Sequence, residues 1–283
     1  MIQPPSFDFE RTLAGGGPLI GMDEVGRGAL AGPVAVGACL AGEGDFPAGL
    51  TDSKLLTPAR RTQLFPEVAT WARALAVGMA SAAEVDALGI TGALRLAGVR
   101  ALETIARSGV KQPVVLLDGS HDWLSVPEDL FGGALEAGGA LGGPLGGPLG
   151  GALDAGGAIG GALDAGGARS SALGSSDTAL TATPSSCPEN PADLAARLRA
   201  LRLRGVVTRV KADLTCVSVA AASVAAKVAR DNLMATVPDP GYGFAQHKGY
   251  GAKTHRDALT RLGASPLHRW SWNLGAGVKV DKR

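Results

Sequence analysis

The chain has 283 residues, a hydrophobic fraction of 46% and a net charge of +1, which suggest one or two globular domains and leave the average charge uninformative about partners. Its three cysteines, Cys39, Cys187 and Cys216, are too few and too scattered for a disulfide framework or a zinc site. The sequence contains no unbroken run of about 18 apolar residues, so no membrane span is predicted. The N-terminus lacks the apolar segment of a signal peptide, and we therefore expect a cytoplasmic protein.

The first 130 residues alternate between apolar runs and helical patterns, which is typical of an α/β fold. Thr57 and Pro58 supply a capping hydroxyl and a proline at the first position of one helix. Ser81 and Glu84 form a capping-box pattern. We predict strands at 18–25, 33–40, 74–80 and 114–119, and helices at 58–71 and 92–108.

A segment of unusual composition follows. From Gly132 to Gly174, 17 of 43 residues are glycine, and the nonapeptide GGAL(D/E)AGGA occurs three times. Such a segment has only scattered Leu and Ile to bury, and each ordered glycine carries a large cost in backbone entropy. We therefore predict that residues 131–190 are a flexible insertion.

The C-terminal part returns to α/β patterns. A strand is predicted at 205–213 and an alanine-rich helix at 218–234, with loops and short helices after Val237. From Ala195 to Arg283 there are 16 Lys or Arg against 5 Asp or Glu. This basic excess fits either a nucleic-acid-binding face or a solvated surface, and it does not distinguish the two.

Acidic residues lie at or near the C-terminal ends of three predicted strands. They are Asp23 with Glu24, Asp118 and Asp213. Ligands gather at that end of the strands in α/β sheets. Because clustered carboxylates repel one another, they favour a bound cation, and all-oxygen ligands suit Mg²⁺ or Mn²⁺.

The surrounding sequence supports neither of two candidate nucleotide-binding motifs and neither of two catalytic patterns. Residues 26–31, GRGALA, match a dinucleotide fingerprint, but a β-like run follows instead of the required helix. Residues 249–254 lack the glycine that precedes the lysine of a phosphate-binding loop. The four histidines show no metal-ligand spacing, and no G-x-S-x-G elbow is present.

Six blocks of sequence occur in a fixed order: GMDEVGRGALAGPV, TDSKLL, LLDG, KAD with AAASVAAKVARD, GYGFAQHKGYGAKTH and HRWSW. In these blocks and their order the chain resembles ribonuclease HII, the type 2 ribonuclease H family, over about residues 18–130 and 191–272. The resemblance implies a ribonuclease-H-like fold with a mixed β-sheet flanked by helices. It implies hydrolysis of the RNA strand of RNA–DNA hybrids and nicking 5′ of single ribonucleotides in duplex DNA.

The resemblance also implies roles for particular residues. Asp23, Glu24, Asp118 and Asp213 would be the catalytic, metal-binding carboxylates. Two Mg²⁺ or Mn²⁺ ions there would support an in-line displacement that leaves a 3′-hydroxyl and a 5′-phosphate. The turn Gly26-Arg27-Gly28 would recognise the 2′-hydroxyl, which distinguishes RNA from DNA, and Tyr250 would contact the sugar at the junction.

One geometric difficulty concerns the adjacent acids. Neighbouring residues on a regular strand point to opposite faces, so Asp23 and Glu24 cannot both reach one site from regular backbone. We therefore expect the strand to be turning already at Glu24, close to the glycine at position 26.

Three further residues are candidates for substrate binding. Ser223 and Lys227 are four apart and share a helix face, where they could bind phosphate; the alternative for Ser223 is a packed small residue. Lys54, after Asp52 and Ser53, could contact phosphate or be a solvated lysine.

The chain departs from the family pattern at three places. Ala29 stands where proline is usual, and Ala252 stands where threonine is usual. Asp118 and Asp213 lie 95 positions apart, where the family has a short connection. A fold can tolerate this insertion, because each doubling of loop length costs only about 0.6 kcal/mol.

We expect a monomer that binds RNA–DNA hybrid and ribonucleotide-containing duplex DNA, with no membrane association and no clamp-binding peptide at the C-terminus. Two alternatives differ in class. A catalytically inactive hybrid-binding protein on the same fold would lack one of the acids, and none is missing. A nucleotide-dependent enzyme with a Gly-rich phosphate loop would show a thermal shift with ATP or NAD.

Overall fold

A computed structural model describes residues 4–126, 180–182, 190–275 and 278. Apart from Val126, these residues belong to one compact unit that comprises residues 1–125 and 176–283. The predicted insertion, residues 131–190, lies outside the described residues except for 180–182 and 190. Its division from the rest of the chain therefore stays a prediction, although residues 180–182 form a short strand.

The unit is built on a mixed six-stranded sheet in the order β5-β3-β2-β1-β4-β6. The first three strands pair antiparallel, whereas β4 is parallel to β1 and to β6. The strands are β1 (Leu19–Val25), β2 (Val34–Leu40), β3 (Ala74–Ala80), β4 (Val114–Asp118), β5 (Leu180–Ala182) and β6 (Gly205–Arg209). This is the mixed sheet with flanking helices that the sequence predicts.

Helices cover both faces of the sheet. They are α1 (Asp8–Ala14), α2 (Pro58–Trp71), α3 (Ala82–Ala106), α4 (Pro191–Ala200), α5 (Ala212–Thr215), α6 (Val217–Thr236), α7 (Phe244–His247) and α8 (Lys253–Leu262), with one 3₁₀ turn, Ser53–Leu55. Helix α3 packs on one face with Ile20 and Met22 of β1. Helices α2 and α6 pack on the other face with Ala35 and Cys39 of β2.

Helix α6 lies directly on the sheet backbone. A Cβ atom added to Gly37 of β2 would collide with the carbonyl group of Ala222, and one added to Gly21 of β1 would collide with Ser218. Alanines and Val224 fill the rest of this contact. The small residues therefore bring α6 close to the end of β1, where the first acidic pair lies.

Two predicted elements have different bounds in the structure. Helix α3 begins at Ala82, ten residues before the predicted start, and its backbone breaks at Gly89, where φ is +68° and ψ is 168°. Strand β6 ends at Arg209, so Asp213 lies in the one-turn helix α5 rather than at a strand end. Within the described residues, no helix has the length and apolar content to cross a membrane.

Candidate active site

Parallel pairing brings Asp23 and Asp118 side by side. The register of β1 and β4 runs from Leu19 opposite Val114 to Met22 opposite Leu117, so the next pair is Asp23 and Asp118. Neighbouring strands lie about 4.8 Å apart. Alternation along β1 places Asp23 on the face covered by α6, because Ile20 and Met22 face α3.

Asp213 joins this pair through the backbone of α5. Asp118 Oδ1 accepts hydrogen bonds from the backbone N–H of Ala212 at 2.8 Å and of Asp213 at 3.4 Å. The Asp118 carboxylate thus caps the short helix that carries Asp213. The two aspartates that are 95 positions apart in the chain are therefore adjacent in space.

Glu24 differs from the expected geometry. Strand β1 continues through Val25, and Glu24 pairs regularly with Val36, so the expectation that the strand is turning at Glu24 is wrong. Val36 packs in the cluster around α3, which places Glu24 on the face opposite Asp23. Its Oε1 lies 3.5 Å from Arg27 Nη1, and its Oε2 is buried without a hydrogen-bond partner among the described residues.

The carboxylates are close enough to perturb one another. Burial, together with repulsion by Glu24 and Asp118, raises the pKa of Asp23 to about 8 even though Ser223 and Lys54 oppose the shift. Burial and repulsion by Asp118 raise the pKa of Asp213 to about 6. Burial also raises the pKa of Glu24. Added positive charge would therefore stabilise this cluster.

Lys54 supplies one such charge. Its Nζ lies 3.5 Å from Asp213 Oδ2, and although burial opposes it, the surrounding aspartates, led by Asp23, raise the pKa of Lys54. Asp52 caps the 3₁₀ turn by accepting from Lys54 N at 2.8 Å. Arg61 binds the carbonyl oxygen of Ser53 at 2.6 Å and so fixes this turn beside the carboxylates.

Ser223 and Lys227 share a face of α6, as the sequence predicts, but their surroundings differ. Ser223 is only 2% exposed; its hydroxyl donates to Ser53 Oγ at 2.9 Å and opposes the rise in the pKa of Asp23. This burial agrees with the packed alternative for Ser223, and phosphate binding by this residue stays a prediction. Lys227 binds Asp231 at 2.8 Å and lines a groove of about 540 Å³ beside Tyr250.

The turn Gly26-Arg27-Gly28 lies beside Tyr250. The N–H of Gly26 donates to Tyr250 Oη at 3.2 Å. Gly26 has φ of +85°, and a Cβ there would collide with the Arg230 side chain, so glycine is required twice over. Space around the Cβ position of Gly28 is open, and Arg27 is about half exposed. The chain therefore presents bare backbone next to the carboxylates.

The donor set suits a divalent cation, with one qualification. All four candidate ligands are carboxylates, which Mg²⁺ and Mn²⁺ prefer, and the buried Glu24 Oε2 has no partner among the described residues. However, no group of three His, Cys, Asp or Glu side chains in the described part of the chain has the geometry of a formed metal site. The residues fit the ion chemically, and the carboxylates would have to approach one another to bind it.

Sequence reasoning missed Ser53 and the two histidines that support Tyr250. Ser53 is buried and packs on Ser223. His255 Nδ1 lies 2.9 Å from the carbonyl oxygen of Tyr250, and His255 Nε2 lies 3.0 Å from His268 Nε2. The only sequence signal for these contacts is that the residues fall within the blocks that carry the family resemblance.

The family model for ribonuclease HII matches residues 20–130 and 181–274. A ribonuclease HII of Streptomyces coelicolor is 36% identical over 95% of this chain and 84% of that protein. One from Thermus thermophilus is 34% identical over 88% of this chain and 83% of that protein.

A ribonuclease H2 structure from Pyrococcus horikoshii has a TM-score of 0.53 at 19% identity, over 91% of this chain and 94% of that one. This likeness concerns the fold. It agrees with the mixed sheet and flanking helices described above.

Proposed function

The chain belongs to the ribonuclease HII family and is a ribonuclease H, and we propose that it also nicks duplex DNA on the 5′ side of single embedded ribonucleotides. One observation carries the proposal: β1, β4 and α5 bring Asp23, Asp118 and Asp213 near one another, beside a turn of bare backbone that is bonded to Tyr250. A metal-dependent nuclease needs the clustered carboxylates, and a protein that recognises the 2′-hydroxyl needs the exposed backbone of the turn.

We propose that Asp23, Glu24, Asp118 and Asp213 hold two Mg²⁺ or Mn²⁺ ions. Bound divalent ions would activate water and stabilise the leaving 3′-oxygen. The protein's own contribution is to bury several carboxyl groups close together, with Lys54 limiting their repulsion when they ionise. Backbone amides fix one oxygen of Asp23 and one of Asp118, which leaves the other oxygen of each as a ligand.

The Gly26-Arg27-Gly28 turn would contact the ribose of the ribonucleotide that is cut. A 2′-hydroxyl both donates and accepts hydrogen bonds, and a turn without side chains at positions 26 and 28 lets backbone groups approach it closely. Tyr250 is bonded to the first residue of this turn. The phenol ring would therefore lie against the sugar next to the one that the turn recognises.

Lys227 and Lys54 would bind the nucleic-acid backbone. Lys227 lines the groove beside Tyr250, together with Arg61 and Lys248, and Lys54 is 68% exposed beside Asp213. Phosphate contacts of this kind position a duplex without reading its sequence. They would orient the strand so that the scissile phosphate reaches the carboxylates.

An inactive hybrid-binding protein on the same fold is the alternative. Such a protein would be expected to lack one of the four acids, and the sequence contains Asp23, Glu24, Asp118 and Asp213. Binding of a one-ribonucleotide duplex without turnover at millimolar Mg²⁺ would favour this alternative.

The experiment is a comparison of aspartate variants. Asp23→Asn and Asp213→Asn should each lower metal-dependent cleavage by about 100-fold or more, because each removes charge that the reaction requires. Neither change should lower the melting temperature measured in EDTA, since each replaces a carboxyl group whose ionisation is opposed by burial and by neighbouring acids with a neutral amide of similar size. Asp45→Asn, at an exposed position, is the control and should cleave normally. Full activity in Asp23→Asn would refute the assignment.

A further inference from the structure

One buried arginine binds the carbonyl groups of the turn described above. Arg269 Nη2 donates to the carbonyl oxygen of Gly26 at 2.7 Å, and Nη1 donates to that of Arg27 at 2.9 Å. Nε and Nη2 also bind the carbonyl oxygen of Gly32, at 3.2 and 3.1 Å. The guanidinium fork thus holds both ends of the segment 26–32.

This arrangement is unusual for a buried charge. Arg269 is 0% exposed, and it has no carboxylate partner within 4 Å in the part of the chain that the structure describes. Its charge is compensated by backbone carbonyl groups and by the ring of Trp272, whose centroid lies 4.9 Å away. Burial, and then repulsion by Arg230, lowers the pKa of Arg269 to about 10, so the side chain remains charged at neutral pH.

The contacts also fix where the donors of the turn point. In a planar trans peptide, the C=O and the following N–H point in opposite directions. Because the C=O of Gly26 and that of Arg27 are drawn toward the buried guanidinium, the N–H groups of Arg27 and Gly28 must point away from it. Neither N–H has a hydrogen-bond partner among the described residues, and the Cβ position of Gly28 is open.

The same segment is bound to the C-terminal part of the chain by backbone contacts. Leu30 N donates to the carbonyl oxygen of Gly249 at 2.8 Å, and Arg269 N donates to that of Leu30 at 2.9 Å. A second buried arginine, Arg230, binds the carbonyl oxygens of Pro33 and Lys248 at 2.8 and 3.0 Å. These contacts hold segment 26–32 in place without the Arg269 side chain. The Arg269 side chain instead sets the direction of the two peptide groups at the N-terminal end of the segment, those after Gly26 and after Arg27.

We propose that Arg269 is a positioning residue for ribonucleotide selectivity, which orients the N–H groups of Arg27 and Gly28 toward the 2′-hydroxyl. The inference rests on the proposed function of the turn. Lysine cannot replace arginine here, because an ammonium group is a point charge and cannot hold several carbonyl groups in one fork. Without the fork the Gly26 carbonyl keeps only its bond from Ala29 N at 3.2 Å, and the Arg27 carbonyl loses its bond from Nη1, so the peptide between Arg27 and Gly28 can rotate and the two donors lose their common direction.

The test compares affinities for two duplexes in the full-length protein. One duplex carries a single ribonucleotide and the other is identical but all DNA; binding is followed by fluorescence anisotropy in Ca²⁺, with a gel check that the strand stays intact. The wild type and Arg269→Lys are compared with Arg95→Lys. Arg95 also binds carbonyl groups, those of Leu124 and Ser125 at 2.9 and 2.7 Å, far from the turn in sequence.

We expect Arg269→Lys to lower the ratio of the two affinities by roughly tenfold, the equivalent of about one lost hydrogen bond, while Arg95→Lys keeps the wild-type ratio. A mixture of folded and unfolded protein lowers both affinities equally and leaves the ratio unchanged. An unchanged ratio in Arg269→Lys would overturn the inference. So would loss of both affinities, or of the cooperative thermal transition, because either assigns Arg269 to general stability. A wild type without preference would instead reject the proposed reading of ribose.

Discussion

The ionisable residues of the site are buried, and the cost of burying each one is offset by neighbouring groups of opposite charge or by hydrogen-bond partners. Asp23 and Asp213 are each 4% exposed, and burial raises the pKa of both. Lys54 stands among these acids, while Arg269 and Arg230 bind carbonyl groups nearby. The buried acids are thus offset by Lys54, whereas the two buried arginines are offset by backbone carbonyl groups.

The buried histidines predict an acid-sensitive step in stability. His268 Nδ1 accepts from Ser265 N at 2.9 Å, so its Nε2–H donates to His255 Nε2. Burial, and then repulsion by His255, lowers the pKa of His268 to about 4. The unfolded chain takes up a proton below about pH 6.5 and the folded chain resists it. This contribution is therefore complete above pH 6.5 and is lost as the pH falls toward 4.

The measurement is the free energy of unfolding of His268→Gln and wild type at pH 7.5 and pH 5. The loss on acidification should be smaller in His268→Gln by about 1–2 kcal/mol. Asp23 and Asp213, whose pKa values are raised, act in the opposite direction in both proteins, so only the difference is informative. His121→Gln, at an exposed position, should lose as much as the wild type. Equal losses in all three proteins would contradict the assignment.

For individual residues, the sequence predicts which side chains belong to the candidate site better than it predicts what those side chains contact. The acids could be found because carboxylates at strand ends form a pattern in the chain. The role of Ser223 could not, because helix spacing shows which residues share a face and not that Ser53 covers it. Arg269 gave no signal either, since its acceptors are backbone carbonyl groups, which every residue possesses.

Helix α6 depends on a cap that comes from another element. Its own N-cap residue, Cys216, makes no side-chain hydrogen bond. Instead Glu10 of α1 accepts from Val217 N at 3.1 Å and from Ser218 N at 2.9 Å. A buried carboxylate thus satisfies the free amides at the start of the helix that carries Ser223 and Lys227.

Removing this cap should destabilise the protein measurably. We expect Glu10→Gln to lower the free energy of unfolding by about 1–2 kcal/mol, because the amide offers one acceptor where the carboxylate offers two. The denaturant midpoint measures the change. Glu43→Gln, at an exposed position, should leave it nearly unaltered, and a similar small effect for both variants would show that α6 does not need Glu10.

Element type is predicted more reliably than element ends. The apolar run of β1 and the capping signal at Thr57 locate their elements correctly, and the capping box at Ser81 marks the true start of α3, ten residues before the predicted start. The predicted strand through Asp213 is too long because the run GVVTRVKAD shows no break. The chain leaves the sheet after Arg209, where Lys211 takes a left-handed conformation with φ of +59°.

For the whole molecule, the sheet order is what the sequence leaves open. Strand β1 lies between β2, its neighbour in the chain, and β4, which comes almost ninety residues later. The sequence patterns of β1 and β4 do not indicate that these two strands pair with each other. The resemblance to a family supplied the ribonuclease-H-like fold, and the structure shows how the pairing brings Asp23 to Asp118.

The Gly-rich segment allows a test of the domain division. We expect deletion of residues 132–175, which keeps the strand β5, to leave cooperative unfolding and most cleavage intact, because every candidate site residue lies at a sequence position outside that segment. Melting temperature and initial cleavage rate measure this. Deletion of residues 8–14, the helix that carries Glu10, is the contrasting change and should lower stability. A collapse of the melting temperature in the first deletion would show that the segment supports the fold.

The most direct measurement is cleavage of a duplex that contains one ribonucleotide in otherwise all-DNA strands. With Mg²⁺ or Mn²⁺, the account predicts a single nick 5′ of the ribonucleotide, with a 3′-hydroxyl on one fragment and a 5′-phosphate on the other. The nick should disappear in EDTA and should not form in the all-DNA duplex. No metal-dependent nick, or equal cutting of both duplexes, would contradict the claim that a carboxylate cluster and a ribose-reading turn act together.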